Sequence, residues 1–137
     1  MPALSVQRPS GLKTVKQEPN LEKKAHLALE FAHDSVDSAL NAYRNNDPQA
    51  GKNILVEMLE AVELAHTALR ETGKSARRRP KHFKRSEIQT RRLLEQLDSL
   101  SRNLYFEERA PLEPIIKRVS DINDQLLKEI MERPKKK

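Results

Sequence analysis

The stretch LNAYRNNDPQAGKNILVEMLEAV, residues 40–62, decides the fold. Asn45-Asn46 ends one apolar rhythm and Asp47-Pro48 opens another. Asp suits a helix N-cap, where its carboxylate accepts from an orphan N–H, and Pro suits the first helical position, where no N–H is needed. Upstream, behind Asn20 as a second N-cap, Leu21, Ala25, Ala28, Leu29, Ala32, Val36, Ala39, Leu40 and Tyr43 recur at spacings of three and four. Downstream, Ile54, Leu55, Met58, Ala61, Val62, Ala65 and Leu69 do the same until Gly73, a left-handed stop. Two helices of similar length joined by so short a linker fold back as an antiparallel hairpin.

A second hairpin follows. Ser86 and Gln89 fit a capping box ahead of Leu93, Leu94, Leu97, Leu100 and Leu104. Pro111 and Pro114 mark the entry to the cleanest stripe of the chain, Leu112, Ile115, Ile116, Val119, Ile122, Leu126, Leu127 and Ile130. The expected fold is all-α: an antiparallel up-down-up-down four-helix bundle over residues 20–133, with helices near 20–45, 48–72, 86–104 and 111–132. A disordered, flexible N-terminal arm, 1–19, and a short basic tail, 134–137, complete it. The hairpins align at an offset of 61 residues, with Ala32 on Leu93, Val36 on Leu97 and Met58 on Val119. An old duplication would give this alignment, and so would the heptad shared by any two hairpins of equal length.

Composition narrows the chemistry. A chain of 137 residues fits one domain and is long enough to bury a core without staples. With no Trp, three Phe and two Tyr, that core is aliphatic. The absence of Cys excludes disulfides, thiolate metal sites, Fe–S clusters and Cys nucleophiles. Gly occurs only at 11, 51 and 73, so there is no Gly-rich phosphate loop, and neither a nucleophile elbow nor a His-Glu-x-x-His zinc motif is present. The first 18 residues hold no apolar run of signal-peptide length, and no stretch approaches the ~18 apolar residues of a membrane span. A cytoplasmic, non-membrane protein without a cofactor is expected, and enzymatic activity is not indicated.

Charge is unevenly placed. Residues 19–73 carry five Lys or Arg against nine Asp or Glu, whereas residues 74–85 carry seven Lys or Arg and no acid. The basic run Lys74, Arg77, Arg78, Arg79, Lys81, Lys84 and Arg85 continues into Arg91 and Arg92. Such density attracts phosphate or carboxylate without reading sequence. The expectation is a small binding or scaffold module whose basic segment, 74–92, meets nucleic acid or an acidic protein surface. His82 and Phe83 would add stacking on a base. The competing reading ties the cations to acids of the second helix, Glu60, Glu63 and Glu71, and lets Phe83 join the apolar stripe.

Two further constellations carry alternative functions. Glu30-x-x-His33 and Glu63-x-x-His66 each put a carboxylate and an imidazole on one helix face, the spacing used by ferritin-like iron or manganese carboxylate bundles. At ~100° per residue, however, both Glu point away from their apolar stripes and both His lie on the flank. Residues 64–76, LAHTALRETGKSA, loosely resemble the phosphoryl-accepting helix of histidine phosphotransfer domains, which implies an exposed His66 in a signalling bundle. The Lys and Gly that follow the His in that family are replaced here by Leu69 and Arg70. Finally, Leu27, Phe31, Val56, Leu64 and Ile88 lie off the stripes. They would scatter harmlessly, lie under arm residues Leu4, Val6, Leu12 and Val15, or form a homodimer contact.

Overall fold

The computed structural model describes residues 11–73 and 80–131. Those residues form six helices and no strand: α1 (Leu12–Lys16), α2 (Leu21–Arg44), α3 (Pro48–Glu71), α4 (Pro80–Arg102), α5 (Phe106–Arg109) and α6 (Glu113–Met131). The four long helices alternate in direction along the chain and pack against one another as an all-α bundle.

Local chemistry sets the boundaries. Asn20 Oδ1 accepts from the Lys23 N–H at 2.8 Å and opens α2. Asn46, at φ 61°, closes it in the left-handed region that Asn tolerates. The Asp47 N–H then reaches back to the Ala42 carbonyl at 2.9 Å, the long return bond of a Schellman ending. Asp47 Oδ1 in turn accepts from the Ala50 N–H at 3.2 Å to start α3, with Pro48 in its first turn. Gly73, at φ 70°, follows α3.

Three expectations change. The third long helix starts at Pro80, not Ser86, because a proline in the first turn costs no hydrogen bond and Phe83 supplies an extra buried anchor. Ser86 is therefore buried inside the helix, its carbonyl accepting from Thr90 Oγ1 at 3.0 Å, and no capping box forms there. Both prolines before the last helix have work: Pro111 sits in the 3-10 turn Ala110–Leu112 and Pro114 in the first turn of α6. Within the segment expected to be a flexible arm, residues 12–16 form α1, because Leu12 and Val15 find an apolar site against α2 and α3. Lys16 Nζ ties the helix down by an ion pair to Glu60 at 2.7 Å. Residues 1–10 and the tail 134–137 lie outside the described residues.

The off-stripe apolar set loses its unity. Phe31 is buried, and Leu27 and Leu64 are half-buried against the core. Only Val56 and Ile88 of the five remain exposed, so the expected five-residue dimer patch does not form as a surface.

The two hairpins lie side by side. α4 packs beside α2, and α6 beside α3, while α3 and α4 are diagonal. Glu22–His82, His26–Gln89 and His33–Gln96 pair in increasing order along both chains, so α2 and α4 run parallel. Two rotated copies of one hairpin would place corresponding helices on a diagonal with the same faces inward. Here corresponding helices are parallel neighbours, and they bury matching positions such as Ala32 and Leu93, Val36 and Leu97, and Met58 and Val119. The 61-residue alignment is thus present in the structure as matching buried positions, without a two-fold arrangement of the hairpins around the bundle axis.

Tight packing marks the turn between α2 and α3. The Tyr43 ring lies over Gly51, where a Cβ would stand 2.5 Å from Cε2. Gly51→Ala gains about 1 kcal/mol of helix propensity, but it forces the buried ring aside, an overpacking cost of about 1–3 kcal/mol. A lower melting temperature is expected in the wild-type background. The sign should reverse when the same change is made alongside Tyr43→Ala, because the ring is then gone.

Candidate functional site

The two Glu-x-x-His pairs do not converge. On α2, Glu30 bonds His26 at 3.1 Å, and His33 bonds the Gln96 side chain, so this pair faces the α2–α4 seam. On α3, Glu63 Oε2 accepts from Arg118 Nε at 3.0 Å and His66 Nε2 lies 3.6 Å from Glu129 Oε1, so the second pair faces the α3–α6 seam. Those seams are on opposite sides of the bundle, since α4 and α6 flank the first hairpin's two helices separately. Among the described residues no group of three or more His, Asp or Glu is placed to hold a metal ion. A ferritin-like site at Glu30, His33, Glu63 and His66 is therefore not assembled.

His66 also fails the requirement of a phosphoryl acceptor, because it is buried between α3 and α6 rather than exposed. Its burial lowers the imidazole pKa below the ordinary 6.5, aided by Arg70 and Arg118 and opposed by Glu129.

The basic segment divides into distinct parts. Lys74, Arg77, Arg78 and Arg79 lie outside the described residues. Lys81, Lys84, Arg85 and Arg92 are exposed on α4, spaced by three, four and eleven residues from the first, which aligns them along one stripe. The core positions Phe83, Thr90 and Leu97 occupy the opposite face of the same helix. None of the four cations forms an ion pair with a described residue.

Two of the three acids expected to neutralise them are engaged elsewhere, Glu60 with Lys16 of α1 and Glu63 with Arg118 of α6, while Glu71 is exposed at the end of α3 and forms no ion pair with a described residue. Arg91 differs from its neighbours. It donates to both oxygens of Glu87 at 2.9 and 3.2 Å, and the Arg91 bond holds the Glu87 carboxyl below its ordinary 4.5 despite burial. Arg91 thus belongs to the fold and not to the open stripe. Phe83 is buried in the core and His82 is held 3.3 Å from Glu22, so neither ring is presented for stacking. What remains is an electrostatic face without an aromatic platform.

Topology concentrates this face at one end. Asn20, Gly73, Pro80 and Met131 all mark helix ends at that pole, because the four helices alternate. The six residues between Gly73 and Pro80 join two of those ends. A shallow depression of about 290 Å³ lined by Pro19, Asn20, Leu21, Glu22 and Thr72 lies at the same pole. The opposite pole carries one of about 360 Å³, lined by Tyr43, Pro48, Gln49, Lys52, Glu107, Glu108 and Pro111. Leu127, expected in the core stripe of the last helix, is instead exposed on α6, as is Met131, which the sequence reading leaves unassigned. A wheel drawn for the last helix sets Leu127 at the stripe's edge and Met131 outside it.

Comparison of the chain with protein-family models, with curated proteins and with solved structures gives no match. The site is therefore read from its own residues.

His66 provides a check on the packing of this region. Its folded-state pKa is depressed, so the unfolded chain takes up a proton first as pH falls through 6.5. The stabilisation is present above that value and is lost below it, until the folded state also protonates. The melting temperature should fall as the solution is acidified through this range. In His66→Gln the same titration should be flatter; an unchanged slope would show that His66 does not report on the seam.

Proposed function

We propose that this protein is a non-enzymatic helical-bundle binding module that presents the outer face of α4 to an anionic partner, nucleic acid or an acidic protein surface. The observation that carries this reading is the row Lys81, Lys84, Arg85 and Arg92, exposed on one helix face where Glu95 is the one acid and none of the four cations is ion-paired with a described residue. A solvated helix face in a stable bundle more often interleaves both signs. Here Glu60, Glu87 and Glu63 are drawn off by Lys16, Arg91 and Arg118, so four cations of the stripe stand against the single acid Glu95 and its potential is net positive.

A cytoplasmic setting accompanies the reading; no helix among the described residues is long and apolar enough to cross a membrane. With Phe83 buried and His82 paired, recognition rests on charge, so discrimination among nucleic-acid sequences is not expected.

Titration of a labelled single-stranded RNA and a labelled DNA duplex against the full chain tests this. Affinity should fall steeply between about 50 and 200 mM salt, with a log–log slope of about −0.9 per phosphate neutralised on the duplex. Replacing Lys81, Lys84, Arg85 and Arg92 together by Ala should flatten the slope by roughly four such increments. Arg91→Ala should instead lower the melting temperature. Affinity indifferent both to salt and to the fourfold replacement, with nucleic acid and with polyglutamate as probes, would remove the proposal.

A further inference from the structure

Large apolar side chains interrupt the charge around the α4 stripe. Ile88 is 37% exposed within the stripe itself, and Leu127 and Met131 are 43% and 70% exposed on α6. Their position relative to the cations follows from the register of the α4–α6 hairpin. Asn123 Nδ2 donates to the Glu87 carbonyl at 2.9 Å and to Thr90 Oγ1 at 2.7 Å, which sets Asn123 level with residues 87–90. The helices are antiparallel, so Leu127, about one turn beyond Asn123, is level with the turn that carries Lys84 and Arg85. Met131, about one further turn on, is level with Pro80 and Lys81. Leu127 follows Asn123 by four residues and so projects on the same side of α6, toward α4, only nearer the surface.

The resulting face has a defined chemistry. Lys84 lies on the α6 side of the α4 stripe with Lys81 one turn before it, and Lys128 lies beyond Leu127 and Met131 on α6, whereas Arg85 lies toward the α2 side with His82 and Gln89. None of these cations is ion-paired with a described residue. Of the acids on these surfaces, Glu87 is bound by Arg91 and Asp121 by Lys117, which leaves Asp124 and Glu95 as the unpaired ones.

A nucleic-acid backbone would satisfy the cations and leave Leu127 and Met131 against sugar and water. A helix bearing carboxylates beside an apolar stripe satisfies both at once, by the helix-in-groove mode of recognition. We infer that the α4–α6 face receives an acidic amphipathic helix of another protein. Its apolar side chains cover Leu127 and Met131, and its carboxylates meet Lys81 and Lys84 on one side and Lys128 on the other. This inference rests on the reading of α4 as an anion-binding face and names the class of partner.

The test compares synthetic helical peptides of about five turns, labelled and titrated against the full chain. One set places Leu at spacings of three and four on a Glu-rich helix, and the other scrambles the same residues. The patterned peptides should bind about tenfold more tightly than the scrambled ones. The neutral replacements Leu127→Gln and Met131→Gln should erase that preference while leaving RNA binding and the melting temperature unchanged.

Equal affinity for patterned and scrambled peptides, or a preference that survives both replacements, would overturn the inference. Tighter binding of RNA than of any peptide, insensitive to Leu127→Gln, would overturn it and leave the anion-binding face standing. Absence of binding to peptides, RNA, duplex and polyglutamate alike would overturn both.

Discussion

The bundle depends on how closely α2 and α3 approach. Their buried faces are dominated by small side chains, Ala25, Ala28, Ala32 and Ala39 on one helix and Ala61, Ala65 and Ala68 on the other. Gly51 lets the Tyr43 ring close the seam near the turn. Small residues allow backbones to near each other, so this pair makes many more close backbone approaches than α4 and α6, whose buried faces are built from Leu, Ile and Phe. The first hairpin is thus a thin slab of two helices, and the bulky side chains of the second fill the volume beneath it. Packing at interior density requires that complementarity of small against large.

Side-by-side placement of the hairpins then decides the fate of the polar side chains. Parallel neighbours α2 and α4 meet along Glu22–His82, His26–Gln89 and His33–Gln96, with the α4 members spaced by seven residues. A heptad of polar residues at the rim of an apolar seam fixes register between parallel helices much as flanking polar positions do in coiled coils. On the other side, His66 and Glu129 meet between α3 and α6. Histidine is consumed in these seams, which explains why four of them in a small bundle make no common site. Within the second hairpin, Asn123 satisfies Glu87 and Thr90, and Arg91 completes the Glu87 carboxylate. Buried polar groups that are paired in this way hold one register where an all-apolar seam would allow several.

These internal uses of charge and polarity leave α4 with an unusual outer face. Acids of α3 are drawn to α1 and α6, and Arg91 of the basic segment is drawn to Glu87. What faces water is a row of Lys and Arg bordered by aliphatic side chains. Its strength comes from absence of competition: each nearby acid already has a partner of its own, apart from Asp124 and Glu95.

The amino-acid sequence by itself determined the helices and their alternation, because apolar spacing, Asn20, Asp47-Pro48 and Gly73 act within a few residues of chain. It also determined that Glu30 and Glu63 turn away from the core, since a wheel fixes angles within one helix. It misplaced the start of α4 and overlooked α1, where burial of Phe83, Leu12 and Val15 outweighs weak local signals. Which helix lies beside which was decided by tertiary structure alone. A stripe says that a face is buried but not against what, and the order of helices around the axis follows from fitting side-chain volumes together. That order sent the two Glu-x-x-His pairs to opposite seams, buried His66, and left Lys81, Lys84, Arg85 and Arg92 without ion-pair partners among the described residues, because each depends on which distant residue arrives as a neighbour.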